Sequence, residues 1–163
     1  MNYTDHFEIE ELVSKEIYNA YGEKACWFLD GRLRILLETM RNRLKTEMVI
    51  NTWNYTSEQL ATLNSKYGMH YADTPRLSAR GFREPATANA YGVALSQHRF
   101  GRAIDFDAIG ITADEVRERI IKDFSIYRIY GLTAIETGID WVHIDLRYTP
   151  GDSLPTNLIL FTK

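Results

Sequence analysis

Three side chains from two distant segments of the chain have the types and spacing of a metal site. His98 and Asp105 lie seven positions apart, and Gly101 between them allows the backbone to turn so that both can reach one ion. His143, in a later segment, offers a second imidazole. Three protein ligands leave one tetrahedral position open for water, which is typical of a zinc hydrolase rather than of a structural zinc closed by four ligands.

Polar and aromatic side chains near these ligands are candidates for substrate binding. Arg80 and Arg83 supply guanidinium groups that can bind a carboxylate or a developing oxyanion. Ser96 and Trp141 each precede a predicted histidine ligand by two positions. Both arginines belong to residues 69–95, which lack sustained periodicity and predict a long functional loop leading into the metal site.

Helices are predicted around these segments. Apolar residues at helical spacing predict one helix over residues 8–21 and a stronger one that begins after Asp30 as its N-cap. Capping patterns at Thr56 and Thr112 predict two more, the last of them spanning residues 113–125.

Apolar and β-branched segments predict strands at residues 48–53, 127–136, 141–147 and 157–162. The second and third are separated by a short turn and predict an antiparallel hairpin. Strict alternation in the third predicts a core face and an opposite face, and the opposite face carries Trp141, His143, Asp145 and Arg147. We therefore predict an α+β fold, a small antiparallel sheet flanked by helices, in a single domain over residues 1–163.

Composition excludes several classes of function. With 163 residues, 45% of them hydrophobic, the chain can bury one substantial core. A net charge of -3 and the absence of any Lys/Arg block exclude a nucleic-acid or membrane-surface binder. The sequence has no apolar run of about 18 residues and no signal-peptide pattern, so we expect synthesis in a cytoplasm. Its single Cys excludes an intrachain disulfide.

The ligand motifs resemble those of a known enzyme family. The pattern Ser-x-His-x-x-Gly-x-Ala-x-Asp at residues 96–105, followed by Trp-x-His at 141–143, resembles the zinc D-Ala-D-Ala carboxypeptidase and L-Ala-D-Glu endopeptidase family. Bacteriophage members resemble the chain further, over about residues 30–147, in an Asn-x-Trp strand end, an Arg-Gly-x-Arg loop and a Trp-Val-His-Ile-Asp-x-Arg segment. The resemblance implies a compact fold shared with the hedgehog signalling domain, a bound zinc, and cleavage of peptidoglycan peptides.

The resemblance also implies roles for individual residues. A general base is expected just before Trp141, where many family members carry Glu three residues before the last His. This chain has Asp140 at that position and Glu136 farther upstream; we favour Asp140 because the turn into the ligand strand can place it over the metal. Arg83 matches the family's Gly-aromatic-Arg pattern, which implies contact with substrate.

Other classes of function remain as alternatives. A non-catalytic domain of a phage particle, or a cell-wall-binding module, would keep zinc only for stability, but three ligands with acidic residues nearby favour an enzyme. A serine hydrolase using Ser96 and His98 is disfavoured because they lie only two positions apart and no nucleophile-elbow motif occurs. We expect a protein that acts on the cell wall after release, or as part of a virion.

Overall fold

The chain combines helices with one sheet in the computed structural model, which describes residues 3–67, 77–86, 95–147 and 156–162. The helices are α1 (Ile9–Leu12), α2 (Lys15–Tyr21), α3 (Gly31–Leu44), α4 (Ser57–Tyr67), α5 (Ala113–Lys122) and α6 (Phe124–Arg128), with 3-10 segments at Gly22–Phe28 and Gln97–Phe100. The strands are β1 (Met48–Val49), β2 (Ala103–Ala108), β3 (Ala134–Glu136), β4 (Val142–Asp145) and β5 (Ile159–Phe161). The predicted α+β class is confirmed.

The N-terminal helix is shorter than predicted. Residues 8–21 form α1 and α2 rather than one helix, because Val13 is extended and Ser14 begins a new helix by accepting a hydrogen bond from the backbone N–H of Ile17. The apolar stripe is nevertheless buried through the break, since Leu12, Val13 and Ile17 all lie in the core.

The two best-patterned helices follow the prediction. Asp30 caps α3 by accepting from the N–H of Arg32, and the five buried positions of α3 are Leu33, Leu36, Leu37, Met40 and Leu44. A capping box between Thr112 and Glu115 begins α5. The α5 helix ends at Lys122 instead of residue 125, because Asp123 leaves helical geometry and α6 starts anew.

Within the described residues the strands form one sheet in the order β1-β2-β4-β3-β5. The pairs β1 with β2, β2 with β4, and β3 with β4 are antiparallel, and the last pair is the predicted hairpin. The expectation of a wholly antiparallel sheet is wrong at one edge, where β5 pairs with β3 in parallel. Strand β5 lies beside β3 and not beside the preceding strand β4, an order that strand composition does not specify.

Two predicted strands are too long. Tyr127 lies in α6, and Gly131, with φ of 93°, turns the chain before β3 begins at Ala134. Of residues 48–53 only the first two form a strand; the backbone N–H groups of Asn51 and Thr52 instead donate to the carbonyls of Glu11 and Leu77. Aromatic and β-branched residues therefore did not locate the strand ends.

The sheet has one apolar and one polar face. Ile104, Phe106, Ile135, Val142 and Ile144 are fully buried in the cluster that includes the apolar faces of α3 and α5. The opposite face carries the predicted ligands of β2 and β4. In the described part of the chain, no helix combines the length and the apolar character that a bilayer crossing requires.

Candidate metal centre

Strand register brings two predicted ligands and one predicted base into a single row. Asp105 on β2 lies directly opposite His143 on β4, which lies directly opposite Glu136 on β3. Directly opposed residues project from the same face of a sheet, about 4.5–5.5 Å apart. The three side chains therefore stand next to one another on the polar face.

A tight turn supplies the third ligand. His98 lies in the 3-10 segment Gln97–Phe100, which ends at Gly101 in the left-handed conformation with φ of 61°. A Cβ at Gly101 would lie 1.8 Å from the carbonyl oxygen of Phe28, so only glycine fits. His98 Nδ1 lies 2.8 Å from the carbonyl oxygen of Gly81. Because a carbonyl only accepts, Nδ1 carries the proton and Nε2 is left with a lone pair for a metal.

The three ligand atoms converge on one point. His98 Nε2 lies 3.3 Å from both Asp105 Oδ1 and His143 Nδ1. Zinc bonds of about 2.0–2.1 Å at tetrahedral angles place donor atoms about 3.3 Å apart, so these separations fit a metal. His143 Nδ1 and Asp105 Oδ1 are closer, at 2.6 Å, because they share a hydrogen bond that a metal would replace. The buried group of His98, Asp105 and His143 can thus hold a metal ion.

Two further side chains orient His143 and Asp105 by contacting the atoms that face away from the centre of the cluster. His143 Nε2 lies 3.4 Å from Asp145 Oδ2, and the Asp145 side chain is fully buried. Arg83 Nη2 donates to Asp105 Oδ2 over 2.7 Å. Asp105 Oδ2 and His143 Nε2 are therefore hydrogen-bonded to Arg83 and Asp145. This leaves Asp105 Oδ1 and His143 Nδ1 facing the centre of the cluster.

The electrostatics differ between the two imidazoles. Burial lowers the pKa of His98 below its usual 6.5. Burial acts in the same direction on His143, but the hydrogen bonds that its ring donates to the carboxylates of Asp105 and Asp145 outweigh burial and raise its pKa to about 9. Burial would raise the pKa of Asp105, yet the adjacent imidazoles hold it well below its usual range. Without metal, His143 therefore carries the proton of the cluster at neutral pH.

The cluster opens into a pocket of about 190 Å³. Its lining residues are Arg83, Leu95, Ser96, Gln97, His98, Asp105, Glu136, Trp141, His143, Asp145, Arg147 and Phe161. Glu136 is 3% exposed, and its Oε1 atom has no hydrogen-bond partner among the described residues. A buried carboxylate oxygen without a partner is costly in a folded protein, which makes Glu136 the most conspicuous acidic group of the pocket.

Asp140 lies elsewhere. It is exposed and lines a separate, larger depression of about 480 Å³. In the same depression Arg117 donates to the carbonyls of Ile139 and Trp141, each over 2.9 Å, and thereby fixes the turn that precedes β4. Of the two predicted base candidates, the structure brings Glu136 and not Asp140 to the ligand cluster.

The other predicted site residues also differ in whether they line the pocket of the cluster. Ser96 and Trp141, which were predicted to contact substrate, line the pocket. Arg80 instead ion-pairs with Asp107 and is not among the pocket-lining residues, and Arg83 contacts a predicted metal ligand. The prediction did not assign roles to four further lining residues, which are Leu95, Gln97, Arg147 and Phe161. Strand alternation had indicated the face of Arg147, whereas the position of Phe161 depends on the parallel pairing of β5.

Comparison with known proteins adds no relative to this description. No family model matches the chain, and no curated protein and no solved structure matches it.

Proposed function

We propose that the chain is a zinc-dependent peptidase with a hedgehog/DD-peptidase-like fold that hydrolyses amide bonds in peptidoglycan stem peptides. The observation that carries the proposal is the buried His98, Asp105 and His143 cluster in one pocket with Glu136, whose Oε1 has no hydrogen-bond partner among the described residues. The spacing of the motifs at residues 96–105 and 141–143 supports the choice of substrate class.

The donor set suits zinc. Two imidazoles and one carboxylate are typical of catalytic zinc sites, in which three protein ligands leave a position for water or substrate. When bound, zinc would supply Lewis acidity, polarising a scissile carbonyl and lowering the pKa of water. His98, Asp105 and His143 would hold it, with Arg83 and Asp145 fixing the orientation of Asp105 and His143.

The protein's own acid–base group in this proposal is Glu136. Its carboxylate accepts the proton of the attacking water and returns it to the leaving amine, which is the general acid–base role that a carboxylate next to a metal site performs. Oε1 has no hydrogen-bond partner among the described residues, so its capacity to accept a proton or a hydrogen bond is not used within the fold. Ser96 and Trp141 form part of the wall against which the peptide lies.

Digestion of purified peptidoglycan tests the proposal. Zinc-loaded protein is expected to release new amino or carboxyl termini that mass spectrometry identifies, and removal of zinc by a chelator is expected to abolish the release. Glu136→Gln is the matched control, since it keeps all three metal ligands. Stoichiometric zinc binding without any new termini in the wild type would instead assign the chain to a non-catalytic zinc-binding module.

A further inference from the structure

The guanidinium of Arg147 lines the pocket, and the proposed mechanism gives it no role. Arg147 follows β4 on the same face as His143, and its Nε lies 2.9 and 3.1 Å from the two carboxylate oxygens of Asp145. Its Nη2 also donates to Asp145. The guanidinium carbon lies 4.3 Å from the ring centroid of Phe161. A buried carboxylate and an aromatic ring therefore fix both the edge and the plane of this side chain.

The other edge of the Arg147 guanidinium is available for a ligand. A guanidinium has five N–H donors, and Asp145 engages only those of Nε and Nη2. Within the described residues, Nη1 donates no hydrogen bond, and the Arg147 side chain is 30% exposed where it lines the pocket. An oriented guanidinium with a free edge is the protein group best suited to bind a carboxylate.

The charge of the pocket favours an anionic ligand once a metal is bound. The lining carries the carboxylates of Asp105, Glu136 and Asp145 and the guanidiniums of Arg83 and Arg147. With His143 protonated, the metal-free lining is formally neutral at pH 7, and a bound dication that displaces this proton gives it one net positive charge. A ligand carboxylate would therefore meet a favourable field in the metal-loaded pocket.

The two arginines predicted from the sequence are less suited to this role. Arg83 donates to Asp105 and to the carbonyl of Ala79, so it serves the metal site. Arg80 pairs with Asp107 and does not line the pocket. Arg147 is thus the lining arginine whose partners among the described residues leave one edge of the guanidinium open.

We propose that Arg147 binds a free carboxylate of the peptide substrate, an inference that rests on the proposed function. Arg147 and His143 lie four positions apart on one strand face, which corresponds to about 13 Å along an extended strand. The long Arg147 side chain shortens this separation by reaching back to Asp145, two positions nearer to His143. The substrate carboxylate is therefore expected within a few residues of the scissile amide, as in a peptide with a free C-terminus.

Paired substrates test the assignment kinetically. A stem peptide with a free C-terminal carboxylate is expected to have a kcat/KM about 10- to 100-fold higher than its C-terminal amide, the factor expected for a hydrogen bond between charged groups. Arg147→Gln should remove this preference, because it lowers kcat/KM for the acid, mainly through KM, about 10- to 100-fold more than for the amide. Arg147→Lys keeps the charge without the fork and should recover part of the preference.

A binding measurement separates this inference from the proposed function. The probes are N-acetyl-D-alanine and its amide, titrated into zinc-loaded and metal-free protein while the Arg147 Nε–H resonance is followed by NMR. The acid is expected to shift this resonance and the amide is not. If the acid binds in this way but no peptide is hydrolysed, the proposed function fails and the carboxylate site stands. Equal effects of Arg147→Gln on acid and amide, with loss of zinc, would overturn the inference and make Arg147 a positioning residue for Asp145.

Discussion

Glu136 and Asp140 differ in burial and in surroundings, and this difference determines which one we expect to act as the base. Glu136 is buried beside His143, whereas Asp140 is exposed in another depression. We predict that Glu136→Gln retains zinc and slows hydrolysis by about 10² to 10⁴, the loss typical of a removed general base. Asp140→Asn should change the rate little. Rates with purified peptidoglycan and zinc analysis of both variants decide the matter, and the reverse order would return the role to Asp140.

The raised pKa of His143 has a consequence for zinc binding. Because that pKa is about 9 in the metal-free protein, His143 is protonated at pH 7 and must lose its proton before it can bind zinc. His98 and Asp105, whose pKa values are lowered, are already deprotonated. We therefore predict release of about one proton per zinc at pH 7, and an affinity that falls about tenfold for each unit by which pH drops below 9.

Calorimetry in two buffers of different ionisation enthalpy measures this proton release directly. Titrations at several pH values then give the slope of the affinity. Zinc binding that releases no proton at pH 7, or an affinity that is flat between pH 7 and 9, would contradict the assignment of the proton to His143.

The sequence was sufficient to predict which three side chains cluster, but not which residues surround the cluster. His98, Asp105 and His143 were recognisable because their spacing matches a motif and because alternation gave the face of β4. Spacing favoured Asp140 over Glu136 as the base, since three residues separate it from His143 along the chain. In the folded protein, the pairing of β3 with β4 determines which carboxylate lies next to His143. It places Glu136 directly opposite His143.

At the scale of elements, the turn after the 3-10 segment Gln97–Phe100, which carries His98, depends on Gly101. Gly101→Ala introduces a Cβ 1.8 Å from the Phe28 carbonyl oxygen in addition to an unfavourable positive φ. Gly110 is the matched control, since it has φ of 75° but nothing within 4 Å of its would-be Cβ. We predict a cost of about 1–2 kcal/mol for Gly110→Ala and at least about 3 kcal/mol for Gly101→Ala.

Denaturant unfolding of the metal-free variants measures this difference. Zinc affinity should fall in Gly101→Ala alone, because the displaced turn carries His98. Equal destabilisation by the two substitutions would mean that the Phe28 contact does not constrain the turn.

The turn before β4 depends on a buried arginine of α5. Arg117 is 5% exposed and donates to the carbonyls of Ile139 and Trp141. Arg117→Met should lower the free energy of unfolding by about 2–4 kcal/mol, because it leaves both carbonyls without this donor. Arg119 on the same helix is exposed, and Arg119→Met should stay within about 0.5 kcal/mol of wild type. Chemical denaturation that gives equal losses for the two variants would refute a special role of Arg117.

The elements themselves were predictable to different degrees. Helices α3 and α5 follow from capping residues and apolar periodicity, which are local signals. Strand β3 was predicted too long, because Tyr127 is buried in α6 and a buried aromatic residue is equally typical of a strand. The parallel pairing of β5 depends on a distant segment, and no local pattern in its few residues specifies a partner.

At the scale of the whole molecule, the metal would connect parts of the chain that are remote in sequence. Its ligands come from a 3-10 segment, from β2 and from β4. A ligand that binds only the folded state adds about 2.7 kcal/mol of stability at 100 times its Kd. We predict that zinc raises the melting temperature by roughly 5–11 °C for a chain of this length.

Thermal unfolding with and without zinc checks this expectation, with His143→Ala as the variant that lacks one ligand. The variant should lose the shift, and Mg²⁺ should not reproduce it in the wild type because imidazole ligands do not suit that ion. An equal rise in the variant would show that zinc binds elsewhere.

The row formed by Asp105, His143 and Glu136 bears on how many residues elsewhere in the chain can be substituted without changing the geometry of the row. The lateral distances along the row are set by hydrogen bonds between strand backbones, which repeat about every 4.8 Å whatever the side chains are. The apolar residues behind the row, such as Ile104 and Ile144, contribute packing but do not set this repeat. Many combinations of core residues are therefore compatible with the same spacing of ligand and base, so substitutions can accumulate in the core while the geometry of the chemistry is inherited unchanged.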